Sequence, residues 1–160
     1  MDAIERELAQ TRGLFDRIEH AEQIARRIQS DHPRDAAELL ALCRAALAEA
    51  SPVRIRVAAL LLNVTAPAVR TWLQDGLLRR DPAGDEARVL DPARLHEVAK
   101  LADALREHGR EADLRERLWH LLSDDALLRR ADLAESLAQL REGELAPARM
   151  RAEERREPAD

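Results

Sequence analysis

Apolar positions in the first thirty residues recur at helical spacing. Ile4, Leu8, Phe15, Ile18, Ala25 and Ile28 fall three, four or seven apart, interrupted by Thr11 and Glu22. They predict one long amphipathic helix from Asp2 to Gln29, with Gly13 as its weak point. The stripe is narrow and close to a heptad seam, which suits either pairing with a second copy of the chain or packing on its own fold. Ser30-Asp31-His32-Pro33 breaks the pattern, because proline cannot continue the hydrogen-bond ladder and disfavours helix in the residue before it. A second helix is predicted from Asp35 through Ala37, Leu40, Cys43, Leu47 and Ala48, ending at Ser51-Pro52.

The pattern then shortens. Ile55 to Leu62 is a short run rich in Ala and Leu, and after Asn63-Val64-Thr65 a second short helix begins. Asn63 stands where the chain must turn left-handed to leave the first helix, a conformation that asparagine tolerates better than other residues with a side chain. Val64 plugs the gap between the two helices. Thr65 is placed to cap the second, and Pro67 falls in its first turn, where a missing amide hydrogen costs nothing. Val69, Trp72 and Leu73 share the inward face of that helix, while Ala68, Arg70, Thr71 and Gln74 lie on the others. Gly76 ends it. Leu77-Leu78-Arg79-Arg80 and Arg88-Val89-Leu90, joined by a polar Pro- and Gly-bearing tip, predict a short hairpin, with Val53-Arg54-Ile55 as a candidate third extended segment beside it.

Asp91 and Pro92 have the form of a helix start, and the helix is expected to run through Leu95, Val98, Leu101, Ala102 and Leu105 to His108, closed by Gly109. Leu114, Leu118, Leu121 and Leu122 mark another, broken at Ser123-Asp124-Asp125. Leu127, Leu128, Leu133, Leu137 and Leu140 mark a last one. From Glu142 onward there is little to bury, and a disordered tail is expected. The organisation that follows is an N-terminal helical arm over 1–51, a compact unit over 52–108, a C-terminal helical region over 109–141 and a tail over 142–160.

Composition sharpens this. A chain of 160 residues, 46% hydrophobic, suffices for one ordinary core, and with 2% aromatic residues and five glycines it favours helix almost throughout. The fold class expected is mainly α with a small β element. Lys100 is the only lysine among 26 basic residues, an arginine and alanine bias associated with GC-rich bacterial genomes. The net charge is −5, yet it is unevenly spread: residues 1–51 carry seven basic and ten acidic groups, residues 52–90 six and four, and residues 109–160 ten and thirteen. Only the middle is locally positive. Cys43 lies in an apolar run and is expected to be a small buried residue. Met1 to Arg6 lacks an apolar signal core and no apolar stretch is long enough to span a bilayer, so a cytoplasmic protein with no membrane contact is expected.

At residues 55 to 90 the chain resembles the MerR and excisionase class of winged helix-turn-helix DNA-binding domains. The elements that carry the likeness are the Ala- and Leu-rich helix ending at Leu62, the Asn63-Val64-Thr65 turn, the run from Pro67 to Trp72 with Val69 and Arg70, the Asp75-Gly76-Leu77 exit, and the basic residues Arg79, Arg80 and Arg88. The unit that bears the likeness, 52–108, is about a third of the chain. Two features depart from the pattern: Asn63 replaces the usual glycine, and Ala66 and Ala68 leave few side chains able to reach base edges.

The resemblance implies a winged helix-turn-helix domain flanked by helices, and sequence-specific binding of double-stranded DNA by a bacterial transcription regulator. In such a unit the second helix enters the major groove. Arg70 would meet a guanine edge or a flanking phosphate, with Thr71 and Gln74 as weaker candidates. Thr65 and the amides of the first turn, through Ala66, Pro67 and Ala68, would hold a phosphate. Arg79, Arg80 and Arg88 would grip backbone or minor groove, giving affinity and salt dependence; Arg54 and Arg56 are secondary candidates. Trp72 is expected in the core. Members of this class commonly work as dimers on paired half-sites, so a homodimer is expected, through either the N-terminal or the C-terminal helices.

Other chemistry is weakly represented. His20, His32, His96, His108 and His120 form no recognised ligand motif, and they are expected on the surface or at helix ends, with no metal and no cofactor. Asp124 and Asp125 lie at a helix boundary, where negative charge is favourable without catalysis. No phosphate loop or nucleophile and base pair stands out, and no enzyme is expected. The Leu-rich region from Leu114 to Leu140 suggests an alternative: an antitoxin-like protein that holds and neutralises a partner such as a toxin, with DNA binding secondary.

Overall fold

The computed structural model describes residues 1–109 and 112–124. The expected helix through Leu127 to Leu140 and the tail from Glu142 lie outside the described residues. The chain is mainly helical with a small two-stranded antiparallel sheet. In chain order the elements are α1 (Ala3–Ile28), α2 (Pro33–Glu49), β1 (Val53–Arg54), α3 (Ile55–Leu62), α4 (Ala66–Gln74), β2 (Arg88–Leu90) and α5 (Pro92–Glu107). A further helix, α6, covers 114–124. Residues Met1–Leu118 form one compact unit and Trp119–Asp160 a second.

α1 is the expected long helix. Asp2 caps it by accepting the Glu5 amide while the Glu5 side chain accepts the Asp2 amide, a reciprocal box that satisfies two amides at the helix start. Its inward face is Glu7, Thr11, Phe15, Ile18 and Ala25, and it lies against α2 and α3. The apolar seam is therefore used inside the chain, the second of the two roles its pattern suits. Thr11 and Glu7 belong to that face although neither is apolar.

α2 starts at Pro33 rather than Asp35. His32 occupies the cap position without a side-chain cap bond, and the proline at the first helical position sacrifices no hydrogen bond there. Ala36, Cys43 and Leu47 are its buried residues. Burial pushes the Cys43 thiol up, with Glu22 adding to the shift.

α5 touches both α2 and α3. Asp91 caps it by accepting the Ala93 amide, Pro92 follows, and Gly109 beyond its end has φ 70°. Leu95, His96, Val98, Ala102 and Leu105 are buried along it. His96 is thus a core residue, correcting the expectation of a surface or helix-end histidine: it sits beside Leu95 and two residues before Val98, and its ring packs at 59° on Phe15 with centroids 4.8 Å apart. Its Nε2 lies 3.7 Å from Glu22, whose other oxygen holds Lys100 Nζ at 2.7 Å. This cluster fastens α1 to α5. In α6, Leu114 and Leu118 are buried, and Ser123 and Asp124, expected to break it, remain helical; each costs only a fraction of a kcal/mol in a helix, unlike proline.

The extended segments are arranged differently from the expected hairpin. β2 pairs with β1, Val53 opposite Leu90 and Arg54 opposite Arg88, so the segment expected as an accessory strand is the main partner. The 77–80 arm contributes one bridge, Arg80 to Leu90, because Leu77 and Leu78 turn fully into the core. Each such leucine contributes about 1.5 to 3 kcal/mol by leaving water, more than a further ladder bond would.

Candidate nucleic-acid interface

α3 and α4 pack against each other through a three-residue turn. Asn63 adopts φ 52° and ψ 47°, the left-handed conformation, and the chain closes there with the Val64 amide donating to Ala59 O at 3.0 Å. Thr65 is the N-cap of α4; its Oγ1 accepts the Ala68 amide at 3.2 Å. The two residues named as turn and cap from sequence do those jobs.

α4 buries Val69 and Trp72, which places Trp72 in the core as expected; Leu73 is half-buried. Arg70, Thr71 and Gln74 are exposed, as are Thr65 and Pro67, while Ala66 and Ala68 are half-buried. Two of these residues have less to offer a ligand than their types suggest. The Thr71 hydroxyl donates to Pro67 O at 3.1 Å, the back-bond a threonine makes within a helix. In the first turn Pro67 has no amide hydrogen and the amides of Ala68 and Val69 are given to Thr65, which leaves Ala66 as the first-turn donor outside these bonds.

α4 is braced from α5. Arg94, largely buried, donates from Nε to Leu77 O at 2.8 Å and pairs with Glu97 at 3.2 Å. Arg106 Nη2 donates to Asn63 O at 3.4 Å. Arg115 of α6 pairs with Asp75, the C-cap residue of α4. The segments just before and just after α4 are thus tied to fixed groups, and a helix held this way presents its outer side chains in a set orientation.

The loop from Arg79 to Leu90 is closed by the Asp81 amide on Val89 O at 2.9 Å and the Asp91 amide on Arg79 O at 3.0 Å. Its acidic residues shape its turns: Asp81 accepts the Ala83 amide at 2.8 Å, and Asp85 accepts those of Ala87 at 2.8 Å and Arg88 at 2.7 Å. The Arg88 and Ala87 amides hold the Asp85 carboxyl below its ordinary range. Gly84 permits this fold, since a Cβ there would meet Arg88 O at 2.6 Å. Residues 79–88 hold three arginines against Asp81, Asp85 and Glu86, so the loop supplies arginine donors without net charge.

No family model, curated protein or solved structure matches the chain. What the site can do rests on its own chemistry. Among the described residues, Arg56, Arg70, Arg79 and Arg80 are exposed and enter no ion pair. Arg88 and Arg54 are different. Glu7, on the inward face of α1, accepts the Arg54 amide at 2.9 Å and Arg54 Nη1 at 2.8 Å, and its carboxylate lies 3.4 Å from Arg88 Nε. Sequence reasoning missed Glu7, yet its position was readable: it precedes Thr11 by four residues and Phe15 by eight, on the buried stripe. Among the described residues no cluster of three or more His, Cys, Asp or Glu side chains is arranged to hold a metal ion, and no helix is long and apolar enough to cross a membrane.

Proposed function

We propose that the chain is a winged helix-turn-helix regulator of the MerR and excisionase type, binding double-stranded DNA with α4 in the major groove and the 79–90 loop as the wing. The observation that carries this reading is the α3–α4 pair itself: a left-handed Asn63, a Thr65 cap and a helix braced at both ends, with Arg70 exposed and in no ion pair among the described residues. A unit so held suits insertion of one short helix between two phosphate backbones. Arg70 is the principal base-edge or phosphate contact, with Gln74 beside it. Arg79 and Arg80 supply backbone contacts whose strength falls with salt. A single unit of this size buries little area on DNA, and the proposal includes a homodimer on paired half-sites.

The test is fluorescence anisotropy on a labelled duplex from the region upstream of the coding sequence, at low and at near-physiological salt. Arg70→Ala is expected to weaken binding by about 1 to 3 kcal/mol, and the double change Arg79→Ala with Arg80→Ala to flatten the salt dependence. Unchanged affinity in both variants at low salt refutes the assigned surface.

A second reading is supported by exposed apolar side chains: Leu42 is 62% exposed, Leu60 54% and Trp119 44%. They favour an antitoxin-like role in which the chain holds a partner protein and DNA binding is secondary. Stable co-purification with the product of the adjacent gene, together with weak salt-insensitive DNA binding, would select it.

A further inference from the structure

Glu7 is a nearly buried carboxylate at the junction of α1, β1 and β2, with its side chain 11% exposed. Arg54 meets it twice, through the amide at one oxygen and the guanidinium at the other, so its position is determined before Arg88 is considered. Arg54 is itself mostly covered, its side chain 25% exposed, and it cannot turn outward without leaving a buried carboxylate with less than it needs. Arg88 is the looser member, at 3.4 Å and 45% exposed. Residues 52–90 hold six basic and four acidic groups, a surplus of two that Glu7 cuts to one. A single residue of α1 therefore halves the positive surplus of the section proposed to meet DNA.

We infer that Glu7 competes with DNA phosphate for Arg88 and thereby sets how many backbone contacts the wing makes. The inference rests on the DNA-binding reading given above. With Glu7 in place, Arg79 and Arg80 contact phosphate and Arg88 stays on the carboxylate. With its charge removed, Arg88 becomes a further contact. A fixed carboxylate 3.4 Å from the Arg88 guanidinium offers it the same negative charge as a phosphate oxygen, and it lies within the chain, where forming the pair costs no association entropy. The arrangement lowers non-specific affinity, which grows with each neutralised phosphate, without touching α4, where base discrimination resides.

The experiment compares the native chain, Glu7→Gln, Arg88→Gln and the double variant on a labelled mixed-sequence duplex across about 50 to about 200 mM salt. Glutamine keeps an oxygen for the Arg54 amide while losing the charge. Glu7→Gln is expected to bind several-fold tighter at low salt, with a slope of log affinity against log salt steeper by about 0.9, the value of one added phosphate contact. Arg88→Gln alone is expected to leave the native slope unchanged, and the double variant to return to it. An unchanged slope in Glu7→Gln, or an equal loss of slope from Arg88→Gln in both backgrounds, overturns the inference while leaving the DNA reading intact. Absence of binding by both the native chain and Glu7→Gln overturns both. A measurement on the unaltered chain guards against a misfolded variant: on titration with duplex, the Arg79 and Arg80 Nε–H resonances should shift and that of Arg88 should not. A shift of Arg88 equal to theirs refutes the competition.

Discussion

Replacing Asn63 by alanine and by glycine asks whether the α3–α4 turn is held by backbone conformation alone. Asn63 is exposed, and its left-handed φ of 52° is the conformation in which a Cβ crowds the carbonyl oxygen that follows. Among the described residues, the bonds that involve Asn63 are made by its backbone: its amide donates to Ala59 O, and its carbonyl accepts Arg106. All survive in both variants, so the difference between alanine and glycine isolates the dihedral angle. Alanine should cost about 1 to 2 kcal/mol, whereas glycine, free to take φ above zero, should stay within about 0.5 kcal/mol of the native chain. With a urea slope of about 2 kcal/mol per molar, alanine lowers the unfolding midpoint by about 0.5 to 1 M. Urea titration followed by far-ultraviolet circular dichroism reads this directly. Equal midpoints for the alanine and glycine variants would show that residue 63 is not left-handed in solution, and the geometry argued for α4 would lose its anchor.

Arg94→Ala removes the Nε donor from Leu77 O, a carbonyl of a residue with no exposed surface, and should destabilise the fold by about 1 to 3 kcal/mol, measured by the same titration; a change below a few tenths would mean that water replaces the guanidinium. His96 gives a pH dependence. Burial first, then Lys100, holds its imidazole below its ordinary value of 6.5, while Glu22 and Glu97 oppose the shift. The folded chain therefore keeps this histidine neutral where the unfolded chain takes up a proton. Its contribution is fully present above pH 6.5, the unfolded value, and is lost as pH falls through the lower folded value. Urea midpoints should fall on acidification across that window by more in the native chain than in His96→Gln, and equal falls would refute the assignment.

The described helices were legible because their signals are local. Asp2, Thr65, Asp91 and Gly109 act at their own helix ends, and Asn63 at its own turn, so a reading that never leaves the neighbourhood finds them. The strands were legible in place and not in partner. Val53-Arg54 and Arg88-Val89-Leu90 are both extended, but which segments pair depends on Leu77 and Leu78 turning inward, and that is decided by the core. His96 and Glu7 were misjudged or missed for one reason: a polar residue on an apolar face is informative only when its partner is known. Those partners, Glu22 and Lys100 for the first and Arg54 and Arg88 for the second, come from other elements of the chain.

The same long-range pairs change what the N-terminal helix is for. A seam of Phe15, Ile18 and Ala25 on a free arm would suit dimerisation, but here those side chains are buried within the chain, and Glu7 and Glu22 tie the helix to β1 and α5. A homodimer therefore has to use another surface, because opening α1 would expose both the apolar stripe and two carboxylates whose partners lie elsewhere in the unit. α1 then belongs to the scaffold that positions α4 rather than to an appendage of it. The lean outer face of α4 fits that arrangement: with the Thr71 hydroxyl spent on Pro67 and alanines at 66 and 68, Arg70 and Gln74 are the side chains on which the proposed base contacts rest. On the proposed DNA-binding reading, discrimination between sequences draws on the spacing of two such units and on DNA shape more than on a rich set of side-chain contacts.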